Sequence, residues 1–365
     1  MTKIIHCADL HLASGVGERD YSLSVLDEIL SIVAETGADL LLIAGDLFNA
    51  RNEADILRKD VAARFRRLPG ETAIFFLAGN HDTGRSASGL GSLDLGLPRE
   101  HVIEYTGEPC ILHPFNADCE LLFIPHREDY SDYPKWDLPP RGARYRVAVA
   151  HATVPRMNFT GIDEEEGRTG TMDADLFSRW DVDYAAMGHI HSAREAMVMK
   201  TRINYPGSAR VWRRDETGPR VVTIVELGSG MTVTPREIAS AGQYRRVDVP
   251  LGLSGEMGEL EGASGWGTRD WVDLRLTGLV DDEHEVRSLE ERIMRELGER
   301  VRLLTVGSDD VMVLDGISNQ AIAGRFLEEW KAHEPAAGDA GARAIWLRAR
   351  EIGLRRIKAE LEARR

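Results

Sequence analysis

Five short apolar runs in this chain end in the same kinds of residue, and that repeat narrows the fold more than any other feature of the sequence. "KIIHCA" leads into Asp9-Leu10-His11, "DLLLIA" into Gly45-Asp46, and "AIFFLA" into Gly79-Asn80-His81-Asp82. "RVAVA" leads into His151, and "DYAAM" into Gly188-His189-Ile190-His191. Bounded apolar runs of this length read as buried β-strands. Packing gives a buried strand no reason to finish in a carboxylate, an amide or an imidazole. In open α/β sheets the ligand crevice lies beyond the carboxyl ends of the strands, so these groups are expected to converge there. Any one motif alone is nearly uninformative, since a single buried histidine is usually a hydrogen-bonded core residue; the weight lies in the ordered series.

Between the runs the period changes from two to nearly four. Leu23, Leu26, Leu30 and Val33 fall on one helical face ahead of Gly37, and Ile56, Leu57, Val61 and Phe65 form a second stripe. "RINY", "VVTIVEL" and "MTVTPREI" read as further strands, the last two joined through "GSG" as a hairpin. Residues 1–240 are therefore expected to form a layered α/β domain. The small and polar "ASAGQ" at 239–243 suggests a boundary. Beyond it "YRRVDVPL", "WVDLRLTGL", a charged helix near 283–298 and "VRLLTVG" read as β-β-α-β, a small α+β cap domain over 241–312. Residues 313–365 then read as a helix-loop-helix. Ile322, Phe326, Leu327 and Trp330 mark its first helix; Leu347, Leu354 and Leu361, with Ile357 between them, mark the second. Arg348, Arg350, Arg355, Arg356 and Lys358 flank that second stripe.

Composition excludes several classes. A net charge of −15 argues against binding polyanions through a global field, so a nucleic-acid substrate needs a local basic patch, metal ions or a basic partner. Cys7, Cys110 and Cys119 show neither a disulfide framework nor a zinc-type spacing. Runs such as "LLLIA" fall far short of the roughly 18 apolar residues a membrane span needs. No basic leader precedes Ile4, so a cytoplasmic location without membrane contact is expected.

The donor types define the chemistry. Asp9, Asp46, the amide of Asn80, and His11, His151, His189 and His191 make seven donors of mixed hardness, suited to Mn, Fe or Zn better than to Mg or Ca. Seven exceed one tetrahedral site and suit two ions sharing a carboxylate, at the spacing of about 3.5–4 Å usual for phosphate-ester hydrolysis. A bridging hydroxide is then the expected nucleophile, and His81, not needed as a ligand, is free to stabilise the transition state or protonate the leaving oxygen. His6, His101, His113, His126, His284 and His333 lie outside the five motifs and read as structural or surface residues.

With DLH, GDLF, GNHD, the later His151 and GHIH in hand, the sequence resembles the calcineurin-like metallophosphoesterase superfamily. Within it the likeness is greatest to the SbcD and YhaO type of DNA repair exonuclease subunit and to its archaeal and eukaryotic double-strand-break repair relatives. That narrower likeness rests on "CADLHL", "GDLFN", "AGNHD" and "INYPGSARVWRRDETGP". It is good over residues 1–240 and beyond them extends only to the order and size of the elements. The resemblance implies two mixed β-sheets flanked by helices, and a two-metal phosphodiesterase acting on DNA ends. It implies one ion, Mn expected, on Asp9, His11, Asp46 and His191, and another on Asp46, Asn80, His151 and His189, with His81 catalytic and Asp82 orienting its loop. One departure stands out: where these nucleases usually carry a second histidine three residues after the bridging aspartate, this chain has Asn49. Asparagine can donate a hydrogen bond to phosphate but cannot shuttle a proton, so metal binding is expected to survive and exonuclease efficiency is the property affected.

The resemblance further implies that the C-terminal helices dock on the coiled coil of an SbcC-type ATPase; the alternative is that they pack back on their own domain. Asn49, Arg85 and Arg210, with Arg213 and Arg214, are the expected DNA contacts. A homodimer through helices of the first domain is a further implication, for which the Ile56 stripe could serve or simply face the core. Two other classes compete: a metallophosphohydrolase of a small phosphodiester or nucleotide, and an end-binding scaffold without catalysis.

Overall fold

The computed structural model describes residues 1–83, 94–104, 110–155, 170–214, 216–251, 257, 260, 262–280, 283–313, 320–336 and 339–363. The chain divides into two compact units, Met1–Gln243 and Tyr244–Arg365.

In the first unit two six-stranded sheets lie face to face. One contains β1 (Thr2–Cys7), β2 (Leu40–Ala44), β3 (Ala73–Leu77), β4 (Val102–Ile103), β11 (Val221–Leu227) and β12 (Met231–Glu237), in the order β12-β11-β1-β2-β3-β4. The other contains β5 (Ile111–Pro114), β6 (Cys119–Ile124), β7 (Tyr145–His151), β8 (Tyr184–Gly188), β9 (Arg194–Val198) and β10 (Thr201–Tyr205), in the order β5-β6-β7-β8-β10-β9. Both sheets are mixed. β1, β2, β3 and β4 run parallel, as do β6, β7, β8 and β10; antiparallel strands close three of the four sheet edges, at β12, β5 and β9, and the parallel β4 forms the fourth.

Period-two alternation explains why the central strands are apolar on both faces. Leu40, Leu42, Phe75, Leu77, Leu121, Phe123, Val147 and Val149 meet between the sheets. Leu41, Ile43, Ile74 and Phe76 point the other way, onto α1 (Glu18–Thr36) and α2 (Arg51–Phe65), whose Val25, Leu26, Ile29, Leu57, Val61 and Phe65 complete that outer core. On the far side Leu122, Ile124, Ala148 and Ala150 pack under α3 (Asp175–Arg179). Leu57, Val61 and Phe65 therefore face the core, whereas Ile56, one residue out of phase, is 53% exposed.

Four strands escape the pattern reading. β4 is only two residues long, β5 and β9 are edge strands of mixed polarity, and β6 is an unbroken buried run.

In the second unit β13 (Tyr244–Pro250), β14 (Trp271–Val280) and β15 (Leu303–Val313) form a parallel sheet. α4 (Glu283–Leu297) crosses between the last two strands and buries Val286, Leu289, Ile293 and Leu297 against Leu274, Leu276 and Leu304. α5 (Ala321–Ala332) and α6 (Ala340–Glu362) pair through Trp330 and Trp346, stacked with ring centroids 3.7 Å apart. Each of those indoles donates to the other residue's carbonyl, at 2.7 and 2.8 Å. Two residues of the apolar stripe on α6 face their own unit: Leu354 is fully buried and, with Ile357, packs among Leu279, Ala323, Met312, Phe326 and Leu327. No helix among the described residues is long and apolar enough to cross a membrane.

Candidate metal centre

All five motifs lie at C-terminal strand ends, β1 to β3 in one sheet and β7 and β8 in the other. The chain beyond β1 runs alongside the chain beyond β2, with Asp9 N–H donating to Gly45 O and His11 N–H to Asp46 O, both at 3.0 Å. Asp9, His11, Asp46 and His189 all have positive φ, 52°, 45°, 51° and 94°. They are four of the six described non-glycine residues in that region, and strain of about 1–3 kcal/mol at each persists only where the surroundings dictate it. Backbone strain is thus concentrated on the residues whose side chains meet.

Those side chains are close and buried. Asp9, His11 and His151 are fully buried, Asp46 is 1% exposed and His189 5%. Asp9, His11 and His191 bring donor atoms within 4.8 Å of one another, as do His11, Asp46 and His81, and Asp9, Asp46 and His151. The Nε2 atoms of His11 and His191 are 3.2 Å apart. Asn80 Oδ1 lies 2.9 Å from His151 Nε2 and 3.2 Å from His189 Nδ1. Glycine is required where the loops cross: a Cβ on Gly79 would sit 2.2 Å from Asp46 Oδ1, and one on Gly45, whose φ is 93°, would sit 1.9 Å from His151 Nδ1.

The charges are those of a site made for cations. Burial pushes the Asp9 carboxyl up to about 6, the nearby imidazoles opposing it only in part. Burial acts on Asp46 in the same sense, but the imidazoles of His151, His11 and His81 outweigh it and hold Asp46 well below the usual carboxylate range. His151 donates Nδ1–H to Ala44 O at 2.9 Å, so its Nε2 lone pair would face Asn80 Oδ1 and Asp46 Oδ2, both acceptors. Only a proton or a metal ion relieves that contact. The donor set therefore fits divalent ions.

Around the donors sits a supporting layer. Asp82 accepts from the backbone N–H groups of Leu47, Phe48 and Gly79 at 3.3, 3.0 and 2.9 Å, tying the second and third loops together. His81 donates Nδ1–H to the backbone carbonyl of Asn49 at 2.9 Å. Arg210 differs from expectation. Its guanidinium is 2% exposed and donates to the Leu10 and His11 carbonyls at 2.7–3.0 Å and to Glu18, so it clamps the first loop and has no face left for a phosphate. Arg85 lies outside the described residues.

Three further residues stand beside the donors. His126 follows β6 and donates Nδ1–H to His151 O at 2.8 Å, its ring 5.6 Å from that of His151. Glu216 accepts from His191 Nδ1–H at 2.6 Å, and Trp212 stacks on His11 with centroids 3.8 Å apart. The bond to the His151 carbonyl gives His126 the structural role its sequence setting suggests; Trp212 and Glu216, in the loop after β10, carry no strand-end signal.

Residues 2–193 match the family Calcineurin-like phosphoesterase. The SbcD component of the SbcCD nuclease from Bacillus subtilis (strain 168) is 26% identical over 313 residues, covering 75% of this chain and 78% of that protein. The DNA double-strand break repair protein Mre11 of Methanopyrus kandleri is also 26% identical, over 357 residues, covering 88% of this chain and 76% of that one. Among solved structures a dimetal phosphatase from Danio rerio aligns with a TM-score of 0.46 at 12% identity, over 65% of this chain and 96% of the other. The family span takes in every strand-end motif from Asp9 to His191. This chain belongs to the calcineurin-like phosphoesterases and is a metal-dependent phosphoesterase.

Proposed function

We propose that the chain is the nuclease subunit of a DNA-end repair complex, a phosphodiesterase dependent on two divalent ions, with Mn the expected metal. The observation that carries this reading is the convergence of seven donors from five strand ends, in a chain whose relatives of similar length are named as nuclease and break-repair proteins. Asp9, His11, Asp46 and His191 would hold one ion, and Asp46, Asn80, His151 and His189 the other. When bound, such a pair lowers the pKa of water and offsets charge building on the phosphoryl oxygens.

The chain's own groups do the rest. His81, anchored through Nδ1 by the Asn49 carbonyl, keeps Nε2 for the substrate and acts as general acid or transition-state stabiliser. Because Asn49 anchors it through the main chain, His81 stays in place whatever side chain stands at 49. The Asn49 Oδ1 is itself buried with no hydrogen-bond partner among the described residues. Arg213 and Arg214 are the cations proposed to meet the DNA backbone, in place of Arg210. An SbcC-type coiled-coil ATPase is the proposed partner. Its contact would be the outer face of α6, where Ile345 and Ile352, seven residues apart, are 74% and 57% exposed. Acting on the chromosome, the complex would work in the cytoplasm.

A second reading, hydrolysis of a small phosphodiester or nucleotide, is favoured by the net charge of −15. A Mn-dependent assay of wild type, His81→Ala and Asn49→His on end-labelled double- and single-stranded DNA and on a mononucleotide diester separates the two. The nuclease reading expects DNA cleavage that falls at least about 100-fold in His81→Ala, the usual scale of general acid catalysis. Intact DNA beside a cleaved mononucleotide diester would establish the second reading instead.

A further inference from the structure

We infer that Glu216 and Trp212 are positioning residues for the two histidines of the first ion, Glu216 fixing His191 and Trp212 fixing His11. The inference rests on the two-ion reading above.

A histidine that holds a metal must aim one ring nitrogen's lone pair, and normally does so by donating its other N–H to a carboxylate or carbonyl. His191 has such a partner, donating Nδ1–H to Glu216 Oε1 at 2.6 Å. His11 lacks one: its Nδ1 is buried with no hydrogen-bond partner among the described residues. Its ring is instead laid flat on the Trp212 indole, 3.8 Å between centroids and 12° between planes, while the His81 ring stands at 90° to it, 4.9 Å away. Turning the His11 ring about its side-chain bond would drive it into the indole face.

The two supports are mechanically one. Glu216 Oε2 accepts the backbone N–H of Trp212 at 3.0 Å and the hydroxyl of Ser208 at 3.1 Å, and Arg220 lies 3.8 Å from the same oxygen. One carboxylate, 6% exposed, thus orients His191 with one oxygen and, with the other, the residue whose ring orients His11. His151 is steadied elsewhere, by the carbonyl of Ala44. Damage to Glu216 or Trp212 should therefore fall on the first ion alone.

The test is calorimetric titration of Mn into the metal-stripped full chain, with the two binding steps assigned by His191→Ala and His151→Ala. Glu216→Ala and Trp212→Leu should each weaken the first ion about 10–100-fold, the usual effect of removing a ligand's supporting partner, and leave the second unchanged. Glu216→Gln, which keeps an oxygen for His191, and Trp212→Phe, which keeps a flat face for His11, should restore most of the affinity. ¹⁵N-histidine spectra of the metal-free protein should show His191 protonated at Nδ1 in wild type and losing that preference in Glu216→Ala. If Glu216→Ala does not fold, the Trp212 pair and Glu216→Gln decide. Wild-type affinity at both ions in the loss variants, or equal weakening of both, would overturn the inference. Fewer than two ions in wild type would overturn the two-ion reading beneath it.

Discussion

His151 faces Asp46 with Nε2 3.3 Å from Oδ2, while its Nδ1–H is held by the Ala44 carbonyl. Since a carbonyl only accepts, the ring has its Nδ1 proton fixed, and whatever lies between Nε2 and the carboxylate must be positive. Burial disfavours the His151 imidazolium, but Asp46 outweighs burial and pushes the ring up to about 10 in the metal-free protein. In Asp46→Asn burial should prevail and His151 should titrate below 6.5. Histidine NMR of metal-free protein gives the answer, and a value that stays near 10 would contradict the assignment.

The crossing of the second and third loops makes a steric prediction. A methyl at Gly79 would lie 2.2 Å from Asp46 Oδ1 and 2.7 Å from Asp46 N. Gly79→Ala should displace the Asp46 carboxylate, lower metal content and activity at least tenfold, and destabilise by about 1–3 kcal/mol as overpacking does. Metal content and thermal unfolding, measured on one preparation, check both halves.

The convergence of Asp9, Asp46, Asn80, His151 and His189 could be read because each follows a strand whose apolar run announces it, and a strand's direction fixes where its next residue goes. The same logic does not reach β6, whose unbroken buried run carries no alternation, and His126 just beyond it reads as structural, in keeping with its bond to the His151 carbonyl. Arg210 shows that sequence gives a residue's charge but not its burial: it follows the YPGS segment, yet its guanidinium serves the Leu10 and His11 carbonyls. Leu354 shows the same limit on a helix, where a heptad stripe does not say whether it meets a partner or its own domain. Glu216 and Trp212 act through a loop, where no period exists to read.

His6 should set part of the acid sensitivity of the first unit. It is fully buried, 2.9 Å from the Tyr184 hydroxyl, and burial pushes its pKa down from 6.5 to about 3. The unfolded chain takes up a proton below 6.5 that the folded one refuses, so this contribution is fully present above 6.5 and is lost as pH falls toward 3. Between pH 7 and pH 5 the loss is about 2 kcal/mol. Urea unfolding at the two values should show a smaller acid loss in His6→Gln than in wild type; equal losses would count against it.

Two substitutions on α6 separate folding from partner binding. Leu354→Ala, at a fully buried position, should destabilise the second unit by about 2–5 kcal/mol. Ile352→Glu, at a position 57% exposed, should leave unfolding unchanged and weaken capture by a coiled-coil ATPase partner. Unfolding curves and a pull-down with the purified partner distinguish them, and unchanged capture in Ile352→Glu would move the proposed surface elsewhere.

The most direct test of the account is anomalous diffraction from Mn-loaded crystals of the full chain. It predicts two peaks, one among Asp9, His11, Asp46 and His191 and the other among Asp46, Asn80, His151 and His189, with both lost in Asp46→Ala. A single peak, or two peaks that do not share Asp46, would contradict it.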